Sequence, residues 1–422
     1  MDSLNRNLIT LKALSAVYRE GAYSGIALNE KLAEVKDKTD RAYITRLFYG
    51  VLGKDVQLDY LVGKLTTKRP KPIAVIIIKI GLYQLRYMSQ PDYAVIDTLV
   101  KLTAKIGKRE IGGFINAVLR QSSSVVLPIV DSDKAFEISV NCSCPKWLVE
   151  KLIADYGVDF TQAFLSADFS ERTHVRINEK VIDSAEFIKK TNGQSSGVGY
   201  YVDYEKLKSI PSHAYAIQGK SSVLACRYYS IGVKTGDKVL DLCSAPGGKA
   251  MYMASIGAIV TACDIHPHRV KLIDSYAKNQ RLSVKTMVND ATVLREEFVE
   301  KFDCVIVDAP CSGIGTLYSK PDVVFGKTQT DIDNLSALQL KILSTASAYV
   351  KAGGMLNYST CTVLKDENEK VVNEFLKTHP QFEMEIAGDE IIKCDNDGFV
   401  RLYPHTNSSD GFFVAKLRRK ND

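Results

Sequence analysis

The sequence predicts a multidomain chain in three parts: an all-α N-terminal domain (1-125), a small α+β connecting module (130-215) and a C-terminal α/β domain of Rossmann-like type (216-422). Three observations predict it. Apolar residues recur at steps of three and four through the first third. The Ser-rich break Gln121-Ser122-Ser123-Ser124 ends that rhythm, and from about Tyr215 short apolar strands alternate with helical segments.

Leu4, Leu8, Leu11, Leu14 and Tyr18 mark one helix, and Ile44, Leu47, Phe48 and Val51 another. Val95, Leu99, Leu102 and Ile106 repeat the spacing after Pro91-Asp92, a helix start. The most apolar stretch, Ile73 to Leu82, contains Lys79 and is about half the ~20 residues that a membrane crossing takes, so it reads as a buried core helix or strand. These segments predict a helical bundle from Asn5 to about Gln121.

In the middle piece, Pro145 suits the first turn of a helix through Trp147, Leu148, Leu152 and Tyr156, and Gly157 stops it. His174-Val175-Arg176-Ile177-Asn178 alternates like a short strand, and residues 191–199 form a polar Gly/Ser loop. Further on, strands are expected at 238–241, 258–264, 284–290, 302–308 and 355–359, the first four closing on Asp241, Asp264, Asp290 and Asp308. A last strand follows at 412–417. Strands alternating with helices predict a mostly parallel, doubly wound sheet with its ligand beyond the carboxyl ends of the strands.

A net charge of +6 tolerates a polyanionic partner without demanding one. Residues 1–10 are too polar for a signal peptide, so a cytoplasmic protein with nine reduced cysteines is expected. No pair has C-x-x-C spacing and Cys142-Ser143-Cys144 stands alone, so no metal site is expected. His266-Pro267-His268 reads as a helix start and His405 as a cap.

Chemistry gathers at three loops. Asp241-Leu242-Cys243-Ser244-Ala245-Pro246-Gly247-Gly248-Lys249 runs from a strand end into small residues that let backbone N–H groups approach a nucleotide-like ligand. Asp264 follows Asp241 at close to the ~20-residue interval at which an acidic side chain meets a ribose in dinucleotide folds. The loop lacks both G-x-G-x-x-G and the G-K-[ST] of a phosphate cradle, which favours an adenosine cofactor without phosphates, S-adenosylmethionine. Asp290 is then placed to accept from the adenine amino group; the alternative is that Asp264 and Asp290 only cap the helices that follow. The other two loops each carry a cysteine just past an apolar strand: Asp308-Ala309-Pro310-Cys311-Ser312-Gly313 and Ser359-Thr360-Cys361-Thr362. Cys226, Cys263 and Cys304 read as packing residues, and Cys243 as a packing or backbone contact in the cofactor loop.

These segments resemble the RNA cytosine-5 methyltransferases, in particular the bacterial small-subunit ribosomal RNA enzymes of the Sun/Fmu (RsmB) type, and the resemblance covers nearly the whole chain. Residues 241–249 match the family's cofactor loop, 308–313 its D-A-P-C-S-G segment, 359–362 its T-C segment and Asp410-Gly411-Phe412-Phe413 its D-G-F-F. Residues 113–120 look like the close of a NusB-like helical domain. Two departures stand at residues 316–322, where relatives are arginine-rich before Pro-Asp, and at Gly219, where relatives carry an acid.

The resemblance implies a NusB-like RNA-binding domain, a connecting module and a Rossmann-like methyltransferase acting on 16S rRNA, naked or in early small-subunit particles. Cys361 becomes the nucleophile that adds to carbon 6 of cytosine, and Cys311 aids its release. Asp308, expected protonated, bonds N3, and Lys249 is the nearest cation. Residues 243–249, Asp264, Asp290 and Asp308 hold the cofactor. A cytosine-5 methyltransferase acting on transfer RNA and a non-catalytic RNA-binding assembly factor are the alternatives. Arg172, Arg176, Lys320 and residues 416–420 are candidates to track phosphates. A monomer is expected, since both RNA-facing modules and the catalytic residues lie in one chain.

Overall fold

Two helices of the first third are opened by aspartate caps, Asp2 and Asp37. In the computed structural model, which describes residues 1–167 and 173–421, Asp2 accepts from the Asn5 N–H at 2.7 Å to open α1 (Ser3–Glu20), and Gly21 closes it in the left-handed conformation. There follow α2 (Ser24–Leu32), α3 (Lys38–Gly53), α4 (Asp55–Leu65), α5 (Pro72–Tyr87), α6 (Asp92–Lys105) and α7 (Gly112–Arg120). The apolar stretch at 73–82 is thus a core helix, begun by Pro72. Leu14, Leu47, Phe48, Ile77 and Leu99 interlock in one core. Next come α8 (Lys134–Cys142), α9 (Lys146–Tyr156) and α10 (Val158–Leu165); Pro145 caps α9 and Gly157, at φ 86°, ends it.

The chain divides into two compact units, Met1–Ser166 with Lys320–Phe325, and Ala167–Ser319 with Gly326–Asp422. Within the first unit, the inserted segment packs on α3 and also reaches α1 and α2, where Phe325 meets Tyr18 edge-to-face at 5.1 Å and Asp322 accepts from Ser24. Lys320 therefore belongs to the helical unit.

The second unit opens with a four-stranded antiparallel sheet in the order β2-β3-β1-β4, built from β1 (Thr173–Ile177), β2 (Gln194–Ser195), β3 (Tyr200–Val202) and β4 (Tyr215–Ile217), with α11 (Ser184–Thr191) beside it. The polar loop expected at 191–199 thus contains a two-residue edge strand. After α12 (Lys220–Ser230) the large sheet begins: β5 (Lys238–Asp241), α13 (Gly248–Ser255), β6 (Ile259–Asp264), α14 (Pro267–Gln280), β7 (Val284–Val288) and β8 (Phe302–Asp308). It continues through α15 (Gln329–Ser347), β9 (Val350–Thr360), α16 (Glu369–Thr378), β10 (Phe382–Met384), β11 (Phe399–Leu402), α17 (Pro404–Asn407) and β12 (Phe412–Arg419).

The strand order is β10-β12-β9-β8-β5-β6-β7, with β11 also on β12. The five strands β5 to β9 are parallel, and β12 runs antiparallel against β9. The central strands β5 and β8 are largely buried apolar runs, as a parallel sheet covered on both faces demands, while the edge strand β7 stays partly exposed. Among the described residues, no helix is long and apolar enough to cross a membrane.

Candidate active site

Asp308 and Ser359 are direct partners in the parallel register of β8 and β9, so the residues just beyond them emerge side by side at the carboxyl edge. Cys311 and Cys361 meet there, Sγ to Sγ at 3.3 Å. The neighbouring Cys361 sulfur, burial and the nearby Glu367 carboxylate push the Cys311 thiol well above the ordinary cysteine range. Among the described residues no cysteine is in a disulfide.

Two glycines let these loops close. Gly315 donates to the Cys361 carbonyl at 3.0 Å, and Gly411 donates to the Gly315 carbonyl at 2.7 Å. A Cβ on Gly315 would stand 2.2 Å from the Gly411 carbonyl oxygen. The Asp410-Gly411-Phe412-Phe413 segment thereby holds the first cysteine loop against the second.

Lys249 enters from the first turn of α13, behind β5. Gly247 opens that helix at φ 107°, a conformation that an L side chain resists. Lys249 Nζ lies 2.6 Å from Asp308 Oδ2 and 5.3 Å from the Phe412 ring centre. Burial works against its charge, but Asp308, with Asp241 beyond it, holds its pKa above the usual lysine value. Ser359 Oγ donates to the other Asp308 oxygen at 2.8 Å. Both oxygens accept, the pattern of a carboxylate, which differs from the protonated acid expected of Asp308. The reason is that β9 and α13 each bring a donor to it. Asp241, fully buried at the end of β5, has no hydrogen-bond partner on either oxygen, and burial pushes its pKa up to about 7.

Beside the two thiols opens a cavity of about 410 Å³. Of the residues expected to hold the cofactor, Cys243, Ala245, Asp264, Asp290 and Asp308 line it, while Ser244, Pro246, Gly247, Gly248 and Lys249 shape the turn behind. One oxygen of Asp264 accepts from the His266 N–H at 3.0 Å and the other pairs with Arg269 at 3.1 Å; Arg269 also donates to the Ala245 carbonyl at 2.9 Å. Asp290 lies beyond the strand rather than ending it, because β7 stops at Val288, and the Thr292 N–H and hydroxyl hold its carboxyl low. Burial pushes the Cys243 thiol up, in keeping with a wall residue.

Sequence reasoning missed Asn289, whose buried Nδ2 has no partner and which lines the cavity at the end of β7. An orphaned amide, an acid at the next strand end and a ligand-sized hollow fit an adenosyl group. Also missed were Arg269 and Glu367. The first sits at i+5 from Asp264 on the following helix; the second is hidden in the charged run 365–370.

Several expected phosphate contacts fall elsewhere. Lys416 is fully buried and donates to the Ile231 and Tyr228 carbonyls, where it satisfies the end of α12, so it cannot reach RNA. Arg418 and Arg419 pair with Glu385 and Glu300. Arg176 lies over the Tyr252 ring at 4.9 Å. Arg172 lies outside the described residues. Cys226, Cys263 and Cys304 are buried as packing residues.

A Rossmann-like sheet with this cavity and loop defines an S-adenosylmethionine-dependent methyltransferase. A family model described as 16S rRNA methyltransferase RsmB/F matches residues 229–418, and a NusB family model matches residues 5–124. The chain is 31% identical to the probable ribosomal RNA small subunit methyltransferase B of Bacillus subtilis (strain 168), over 98% of each chain. It is 28% identical to the ribosomal RNA small subunit methyltransferase B of Photorhabdus laumondii, over 99% of this chain and 100% of that one. In fold it matches the crystal structure of PH0851 (TM-score 0.79, 23% identity, 99% of this chain and 98% of that chain). It also matches NSun6 from Pyrococcus horikoshii with SFG (TM-score 0.58, 20% identity, 66% and 99%). The chain belongs to the RsmB/F family of RNA methyltransferases, with a NusB-family domain at its N-terminal end.

Proposed function

We propose that the protein methylates carbon 5 of a cytosine in 16S rRNA through a covalent bond from Cys361 to carbon 6. The contact between Cys311 and Cys361, beside Asp308 and the cavity, carries this reading. S-adenosylmethionine, when bound, supplies an electrophilic methyl group on a sulfonium. Asp264, Asp290, Asn289 and the 243–249 turn hold it.

Carbon 5 of cytosine is too electron-poor to attack unaided, so Cys361 Sγ first adds to carbon 6. The Lys249–Asp308 pair passes a proton to N3 as electron density moves there. Once the methyl group is on carbon 5, the carbon 5 proton leaves to water, the N3 proton returns to the Lys249–Asp308 pair and the carbon 6–sulfur bond breaks, which restores the ring and the Cys361 thiolate. Cys311, holding its own proton on the opposite side of the thiol contact, assists this departure.

Residues 1-125 serve as an RNA-binding domain and 130-215 as a connecting, RNA-contacting module, feeding the catalytic domain at 216-422. The protein works as a monomer in the cytoplasm, on naked RNA or early small-subunit particles. Flipping a cytosine out of its stack costs least in a loop or bulge, so the target lies in one.

The test is bisulfite sequencing of 16S rRNA from cells with and without the gene, together with in vitro methylation by wild type and Cys361→Ala. One cytosine that becomes convertible in the deletion, and is protected again only by wild type, is the expected result. Unchanged ribosomal RNA with a changed transfer RNA would overturn the 16S assignment. Methylation by Cys361→Ala would overturn the covalent step.

A further inference from the structure

Behind the two thiols lies a sealed polar layer that the chemistry above does not use. Glu367 is completely buried, and one of its oxygens accepts from the Ser312 N–H at 2.8 Å and from Gln339 Nε2 at 3.0 Å. Gln339, itself fully buried on α15, also donates to the Pro310 carbonyl at 2.9 Å. The two residues flanking Cys311 are therefore gripped from behind through a single carboxylate oxygen. On the other side, Ser312 Oγ donates to Thr362 Oγ1 at 2.9 Å, tying the same loop to the residue after Cys361. The Tyr358 hydroxyl donates to the Glu367 carbonyl at 2.5 Å and fixes the turn that carries the acid.

We propose that Glu367 is a positioning residue: with Gln339 it clamps Pro310 and Ser312 so that the Cys311 sulfur is held against Cys361. A loop residue between two anchored neighbours has little freedom, whereas a thiol pair needs sub-ångström placement to share a proton. A buried carboxylate is costly, and a site that only needed to be filled would be filled more cheaply by an apolar side chain. Its presence at this place is explained by the geometry it imposes on the loop. The negative charge also acts on Cys311, supporting its protonated state.

The effect on turnover rests on the catalytic reading above, so the test has one arm with RNA and one without. In the RNA-free arm, alkylation of Cys311 by iodoacetamide is followed by mass spectrometry across pH in wild type, Glu367→Gln, Glu367→Ala and Gln339→Leu. Removing the clamp frees Cys311 from its sulfur contact, and its alkylation at pH 8 should rise about tenfold in Glu367→Ala and Gln339→Leu. Glu367→Gln keeps an acceptor for Ser312 and should restore most of the wild-type protection.

In the RNA arm, the clamp variants should accumulate a denaturant-stable protein–RNA adduct that wild type resolves, because Cys311 is out of place for release. A change that merely loosened the fold would lower turnover without building up adduct. Wild-type alkylation profiles in a folded Glu367→Ala would overturn the proposal. If that variant does not fold, the same profile in Gln339→Leu overturns it. Shifted alkylation with no adduct from any protein, wild type included under trapping with 5-fluorocytidine RNA, would instead sink the covalent reading and leave the clamp standing.

Discussion

Lys79 and Lys249 are both buried lysines paired with aspartate, one in each unit, and their surroundings differ in one respect. Lys79, on α5, is 3% exposed and lies 2.5 Å from Asp55 and 2.9 Å from Asp59, with its Nζ 5.0 Å from the centre of the Tyr18 ring. Tyr18 donates to Asp55 as well, and Asp59 also pairs with Arg69 at 3.8 Å, so the cluster satisfies itself within the helical unit. Lys249 has one carboxylate, Asp308, and that carboxylate fronts a cavity with two thiols on its rim. Both are costly to build in a low-dielectric interior. The ion pair alone does not mark a site; a paired group that also faces a hollow does.

That contrast is broken or sharpened by mutation. The largest effect is expected at the site: Cys361→Ala should abolish methylation, a fall of at least about a thousandfold in single turnover, with cofactor binding by calorimetry retained. Lys249→Met should lower the rate by about a hundredfold while Tm moves little, because Asp308 keeps its bond from Ser359 and opens toward solvent in the cavity. Lys79→Ala should do the opposite. It strands two partly exposed acids and should cost about 2–3 kcal/mol in urea unfolding, discounted for solvent screening, with the activity per folded molecule unchanged. A Lys79 variant that lost activity without losing stability would erase the distinction.

Asp241 supplies a pH test of the catalytic side. Its folded pKa, about 7, lies above the unfolded value, so the native state binds the proton more tightly. Its contribution to stability is full below about pH 4 and is lost as pH rises toward 7. Asp241→Asn should therefore gain on wild type progressively as pH rises between those limits, by up to about 4 kcal/mol at pH 8, in paired denaturation curves. The smallest effect is expected at an exposed helix end: Thr328→Ala breaks the capping box that opens α15 and should cost about 1 kcal/mol.

Much of the fold was legible because it is written in local pattern. The three- and four-step periodicity located α1, α3 and α6, and strand ends at Asp241, Asp264 and Asp308 located the edge where chemistry occurs. What local pattern cannot carry was missed. β9 begins five residues before the expected start at 355, because Gly353, at φ 70°, sits in an irregular stretch where its pairing with β8 shifts register. β10 and β11 are short and exist only by pairing with β12. In the site, the two cysteine loops were legible from small residues after apolar strands. Glu367 was not, since an acid in the run Lys365-Asp366-Glu367-Asn368-Glu369-Lys370 reads as solvated surface until tertiary packing seals it. Asp308 was found, but its charge state depends on donors from two other elements.

The backbone contact between Gly315 and Gly411 has a consequence for biosynthesis. A chain grown from its N-terminus exposes Cys311 and Cys361 before the segment that carries Gly411 has been made. Until Phe412–Arg419 slots between β9 and its antiparallel partners, the first cysteine loop lacks the neighbour that presses it into place. A nascent polypeptide would then carry both thiols as ordinary exposed cysteines, and their contact with each other would form only with the insertion of that strand.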